Sequence, residues 1–255
     1  MAEYQLKNQE LTLKISSKGA EMKSLKDNKT NQEYLWHGDS AYWGRTSPVL
    51  FPIVGNYREK ESVFEGKTYS MSQHGFARDM EFTLESQKEE EIWFELKENE
   101  ETLKKYPFAF RLHLGYRLDG RSVEVLWKVE NPNDKKMYFS IGGHPAFMIP
   151  EQYDIVFNKD LRNHGETELE YVLIDPETAG VDAAHPRKLS LINGKIPYTR
   201  TLFDEDALIF DNTQVERVGV EVDGKPYVTL TCKGFPSVGV WSKPKADAPF
   251  VCLEP

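Results

Sequence analysis

The sequence predicts an all-β protein, built as one large antiparallel β-sandwich. Apolar residues recur at every second position through several segments, helical periodicity is nearly absent, and Asp-Gly, Asn-Gly and Glu-Gly pairs punctuate the alternating stretches. Taken in order, Leu11, Leu13 and Ile15 alternate with Thr12 and Lys14. Ile92, Phe94 and Leu96 alternate with Trp93, Glu95 and Lys97, and Phe110, Leu112, Leu114, Tyr116 and Leu118 share one face of the following segment. Val123, Val125, Trp127 and Val129 share another face, opposite Glu124, Lys128 and Glu130. Successive strand side chains point to opposite sides, so each segment is expected to be a strand with one buried face.

Glu65-Gly66, Asp119-Gly120, Asn131-Pro132-Asn133-Asp134, Asn193-Gly194 and Asp223-Gly224 lie between such segments. Gly, Asn and Asp accept the positive φ of tight hairpins, so these are expected to be antiparallel connections. Lys88-Glu89-Glu90-Glu91 is expected to be a solvated hairpin end. Helix is expected in two places only. Asn99 can cap a short helix that stops before Pro107, and a further turn is expected over Phe203 to Ala207. No Pro/Ser-rich linker or internal repeat divides the chain, so residues 1–255 are expected to form a single domain.

At 255 residues the chain is long enough to bury a large core without covalent staples. A net charge of −9 argues against nucleic acid or an anionic membrane as partner. A small anionic ligand, which needs only a few local cations, remains allowed. Cys232 and Cys252 are too few for a disulfide framework and fit a reducing compartment. The N-terminal residues lack the blocks of a secretory signal, and no apolar run approaches the roughly 18 residues of a membrane helix. The expected location is cytoplasmic.

Dinucleotide, P-loop, nucleophile-elbow and zinc-protease motifs are absent from the sequence. No two of the six histidines have metal-ligand spacing, so no metal is expected unless a site is assembled in three dimensions. His74 in Gln73-His74-Gly75-Phe76-Ala77-Arg78 and His144 in Gly142-Gly143-His144-Pro145-Ala146-Phe147 stand among glycines that permit close approach. From the residues alone, each is as readily structural as functional. His113 reads as a strand position, and His37, His164 and His185 as residues of polar turns. Phe250, Cys252 and Glu254 would share one strand face, although the residues alone favour Glu254 as a solvated residue near the terminus.

Arg45-Thr46-Ser47-Pro48-Val49-Leu50-Phe51-Pro52-Ile53-Val54-Gly55, His74-Gly75-Phe76-Ala77-Arg78, Gly143-His144-Pro145 and Cys252-Leu253-Glu254-Pro255 occur in that order. Together they resemble the aldose 1-epimerase family, most closely its LacX-like branch, over about Ala20 to Glu254. The resemblance implies a galactose-mutarotase-like β-supersandwich of antiparallel strands. It also implies an isomerase that interconverts the α and β anomers of an aldohexose with no cofactor. His144 and Glu254 match the catalytic pair, and His74 the substrate-binding histidine. Arg45 and Arg78 resemble arginines that the hexose-6-phosphate epimerase branch uses near its ligand. Asp206 resembles the aspartate that grips sugar hydroxyls, with Asp204, Glu205 and Asp211 as rivals, and Asn56 and Arg58 resemble an Asn-Arg pair of galactose mutarotases. The partner implied is a small-molecule sugar or sugar phosphate, and the protein is expected to be a monomer or homodimer. Members of the family continue past Glu-Pro with a Trp and a Gly, and lack of such a segment after Pro255 is expected to leave Glu254 less firmly held.

Mutarotation opens a hemiacetal ring and closes it on the other face. The anomeric hydroxyl loses a proton while the ring oxygen gains one, which calls for a base and an acid on different sides of the C1–O5 bond. A carboxylate suits the base and an imidazolium the acid, and the pair is expected to stand several ångströms apart to admit a sugar ring. Trp43 or Trp241 could stack on the sugar, although core packing is the plainer role for either. The alternatives are a hexose-6-phosphate 1-epimerase, a sugar-binding protein without turnover and a β-sandwich interaction module.

Overall fold

The computed structural model describes residues 1–150, 152–157 and 167–255. His164 lies outside the described residues. The chain forms two compact units.

The first unit comprises Met1–His37 and Thr46–Gly143. Strands β1 (Glu3–Lys7), β2 (Leu11–Ser16) and β3 (Glu21–Asp27) form an antiparallel meander. β4 (Val49–Leu50) pairs with β11 (Gly142–Gly143), and β5 (Glu61–Phe64) with β6 (Lys67–Ser70) across the Glu65-Gly66 turn. β7 (Thr83–Gln87), β8 (Glu91–Lys97), β9 (Arg111–Asp119) and β10 (Ser122–Glu130) form a four-stranded sheet in the order β10-β9-β8-β7. The acidic run closes the β7–β8 hairpin, and Asp119-Gly120 closes β9–β10.

Burial follows the alternation in most of these strands. Leu11, Leu13 and Ile15 of β2, Ile92, Phe94 and Leu96 of β8, and Leu112 to Leu118 at alternate positions of β9 are all buried. The face expected on β10 is only half-buried, and Val125 is exposed, because β10 is an edge strand with a neighbour on one side. His113 is buried in β9 with Nδ1 2.8 Å from Glu85 Oε2, a structural position as expected.

Helix α1 (Glu100–Leu103) starts where the sequence indicates. Asn99 Oδ1 accepts from the N–H groups of Glu101 and Thr102, and Thr102 Oγ1 accepts from the Asn99 N–H. The helix ends after one turn rather than running to Pro107. Tyr106 is fully buried within ring contact of Phe51, Phe76 and Phe110, and its hydroxyl donates to the Tyr138 carbonyl.

The His74 segment is tied to the Phe51-Pro52 turn, whose peptide is cis. Phe51 O accepts from the N–H groups of both Phe76 and Ala77, and Gly75 has φ +71°. A Cβ on Gly75 would lie 2.2 Å from Phe51 O, so backbone would have to move. Gly75→Ala should therefore destabilise the protein by at least about 2 kcal/mol, read as a lower denaturant midpoint at unchanged slope.

The second unit comprises Gly38–Arg45 and His144–Pro255. One sheet contains β12 (Ala146–Met148), β17 (Leu208–Phe210), β20 (Val238–Trp241) and β21 (Phe250–Glu254) in the order β12-β21-β20-β17. Another contains β13 (Asp154–Phe157), β16 (Lys195–Pro197), β18 (Arg217–Val222) and β19 (Lys225–Thr231) in the order β16-β13-β18-β19. β14 (Glu168–Tyr171) pairs with β15 (Arg187–Ser190). Asp223-Gly224 joins β18 to β19 as expected, whereas after the Asn193-Gly194 turn β16 pairs with β13 rather than with β15. The segment expected to form a helical turn over Phe203 to Ala207 consists of turns instead, because Asp206 has φ +86°, which a right-handed helix excludes. Both cysteines are free and buried. Among the described residues, no helix is long and apolar enough to cross a membrane.

Candidate active site

β21 is a central strand, and all of Phe250 to Leu253 is fully buried. On one side Cys252 stands opposite Ala146 of β12, and on the other Glu254 stands opposite Gly239 of β20. Glu254 is thus fixed by strand pairing, in contrast to the frayed residue that composition alone favours. The Leu253 N–H donates to the Pro145 carbonyl at 3.2 Å and holds the start of β12 against β21. His144, one residue earlier, is thereby placed with Nε2 3.3 Å from Glu254 Oε1. The two side chains are only 9% and 15% exposed.

Rings enclose this pair. The Trp43 indole stacks on His144 with centroids 4.6 Å apart and planes inclined by 23°. Trp241 meets the same imidazole edge-on at 5.7 Å, and Phe250 packs against both indoles at 6.0 and 5.8 Å. Arg45, two residues from Trp43 in the same short segment, is half-buried.

In the first unit, His74 has φ +64° and is bonded to Gly55 twice. Its N–H donates to the Gly55 carbonyl at 2.7 Å, and its Nδ1 accepts from the Gly55 N–H at 3.1 Å. A neutral His74 ring held this way carries its proton on Nε2, which makes that atom a donor. The Arg78 guanidinium donates to the Gln73 carbonyl at 2.7 Å and is 14% exposed. Asn56 is half-buried and Arg58 exposed.

The aldose 1-epimerase family profile matches residues 2–254. The chain belongs to the aldose 1-epimerase family. The plasmid-encoded protein LacX of Lactococcus lactis subsp. lactis is 33% identical over 270 residues, spanning 98% of this chain and 86% of LacX. A galactose mutarotase related enzyme from Lactobacillus acidophilus superimposes with a TM-score of 0.91 at 33% identity, over 100% of this chain and 85% of that one. A galactose mutarotase-like protein from Lactobacillus casei gives 0.87 at 28% identity, over 100% and 87%. The fold is accordingly galactose-mutarotase-like, all-β and antiparallel, as the sequence predicts, and the resemblance to LacX holds over nearly the full chain. Family membership supports a mutarotase-type, isomerase-class function with a sugar as substrate.

Electrostatics distinguish Asp206 from its neighbours in this epimerase-family chain. Burial pushes the Glu254 carboxyl up to about 8, and the negative charge of Asp206 adds to the rise. Glu205 is held by Arg187 at 2.5 and 3.0 Å, and Asp211 accepts from the Ser237 hydroxyl. Asp206 is thus the acidic side chain of that segment whose field reaches Glu254. Asp206→Asn should lower the Glu254 pKa and move any activity limb set by that carboxyl toward lower pH. An unmoved limb in a kcat/KM profile would separate the two residues.

The stack of Trp43 on His144 was beyond reach of the sequence, because residues 101 apart in the chain leave no local periodicity to read. The placement of Phe250, Cys252 and Glu254 on one face was legible from their alternation.

Proposed function

We propose that the protein is an aldose 1-epimerase that interconverts the α and β anomers of an aldohexose, with His144 as general acid and Glu254 as general base. The observation that carries this reading is the buried His144–Glu254 contact inside an aromatic enclosure. The atoms stand closer than the several ångströms expected from the sequence. Glu254 Oε1 is buried and accepts no hydrogen bond, although His144 Nε2 lies 3.3 Å from it.

Glu254 takes the proton of the anomeric hydroxyl as His144 gives one to the ring oxygen, and the ring opens. After rotation about C1–C2 the same groups act in reverse, which restores both protonation states without net exchange. Trp43 keeps the imidazole plane in register, and the surrounding rings exclude water from the proton path. The family resemblance also gives ligand-contact roles to Arg45 and Asp206 in this unit and to His74 and Arg78 in the first, and a cytoplasmic, monomeric or homodimeric enzyme accords with it.

Polarimetry on fresh α-glucose and α-galactose tests the proposal. Accelerated mutarotation of either sugar supports it, and no acceleration across a panel of aldohexoses would favour a binding protein without turnover. Arg45, half-buried beside the Trp43 segment, is the observation that keeps a hexose-6-phosphate substrate in view. If a phosphate is bound there, Arg45→Ala should weaken turnover of the phosphorylated sugar at least about tenfold more than that of the free sugar. Equal losses would reject a phosphate contact.

A further inference from the structure

We propose that His144 Nε2, Cys252 Sγ and a Glu254 carboxylate oxygen form a three-ligand site for a borderline-soft dication such as Zn2+, and that the bound ion shuts the enzyme off. The three ligating atoms lie within 4.8 Å of one another, and the His144–Glu254 separation is already 3.3 Å. Zinc bonds of about 2.0–2.3 Å place tetrahedral ligands roughly 3.3–3.7 Å apart, so closure asks for movements of about 1 Å or less. Strand geometry supplies the preorganisation. Cys252 and Glu254 are two residues apart on β21 and project from the same face. The Leu253-to-Pro145 hydrogen bond sets His144 beside them.

The donor set selects the metal. One nitrogen, one sulfur and one carboxylate suit Zn2+ or Co2+, whereas Mg2+ and Ca2+ require several oxygens. The thiol gives up its proton to solvent as the sulfur–metal bond forms. Three protein ligands leave a fourth position for water or a sugar hydroxyl. Cys252 is fully buried and has no part in the acid–base chemistry, which makes it the residue that separates metal binding from turnover. The inhibition, though not the binding, rests on the acid–base reading of His144 and Glu254, because the ion takes the place of the acid's proton on His144 Nε2 and occupies the carboxylate lone pair that serves as the base.

The test uses Co2+ as the spectroscopic probe and Zn2+ as competitor on the full chain. One equivalent of Co2+ should give a thiolate-to-cobalt charge-transfer band with the intense visible bands of a tetrahedral ion, and Zn2+ should abolish both. Cys252→Ala should lose the charge-transfer band, keep its polarimetric rate in metal-free buffer, and need at least about tenfold more Zn2+ for half-inhibition. Cys232→Ala should behave as wild type, since that thiol donates to the Val215 carbonyl elsewhere in the unit. Absence of the charge-transfer band in the wild-type protein at millimolar Co2+ overturns the site without recourse to any variant. Unchanged zinc sensitivity in a folded Cys252→Ala protein does so as well. Cysteine-dependent cobalt binding in a protein whose turnover ignores zinc would keep the site and reject its link to catalysis.

Discussion

Glu254→Gln should lower kcat by about 10²–10⁴ with little change in KM. The amide keeps the size and much of the hydrogen bonding of the carboxylate, so sugar binding survives, while the basicity is removed. The wild-type profile of kcat/KM should be bell-shaped, with one limb set by the Glu254 carboxyl, which burial and Asp206 hold at about 8 rather than in the ordinary carboxylate range. The variant should lose that limb. The same substitution should raise stability in alkaline solution. Between the ordinary value of 4.5 and about 8, folded Glu254 keeps a proton that the unfolded chain releases. Its contribution to stability is therefore fully present below about pH 4.5 and is lost as pH rises through 8. Above that point the buried carboxylate costs the wild type on the order of a few kcal/mol, a penalty the neutral amide does not carry. Thermal unfolding of both proteins at pH 5 and pH 9 checks this, and near-full activity in Glu254→Gln would assign the base to another carboxylate, Asp206 first.

His144→Asn should lower kcat by a comparable factor of about 10²–10⁴. The paired variant, His144→Asn with Glu254→Gln, should be far less impaired than the product of the two single losses, because acid and base act in one transition state. Strict multiplicativity would mean that the residues work independently. His144→Asn also removes the ring on which Trp43 stacks at 4.6 Å, so Trp43 fluorescence should change in this variant and not in Glu254→Gln. That contrast separates loss of the acid from loss of a packing partner.

The strands were legible because burial on one face writes itself into the sequence at period two, as in Leu11, Leu13 and Ile15 or Ile92, Phe94 and Leu96. The signal weakened wherever burial depended on neighbours. Val123 to Val129 alternate as cleanly as any segment, yet β10 lies at a sheet edge and its face stays half-buried. Phe203 to Ala207 reads as a helical turn, yet Asp206 takes a positive φ that no local rule for aspartate demands. The candidate site was legible only through its motifs. Composition placed Glu254 in solvent, and only the pairing of β21 with β12 and β20 shows why a carboxylate that late in the chain is buried. The contact of His144 with Trp43 joins segments far apart in sequence, which single-segment patterns cannot encode.

The position of β21 between β12 and β20 also bears on how the protein is made. Residues 250–254 leave the ribosome after every strand they join. Until then β12 has no sheet neighbour among the described residues, and β20 presents an open edge on which another nascent polypeptide could add. Insertion of β21 closes that edge and delivers Glu254 in a single event. A product terminated before β21 should therefore carry the hazard of an unprotected edge without the proposed base, and limited proteolysis should digest it faster than the full chain.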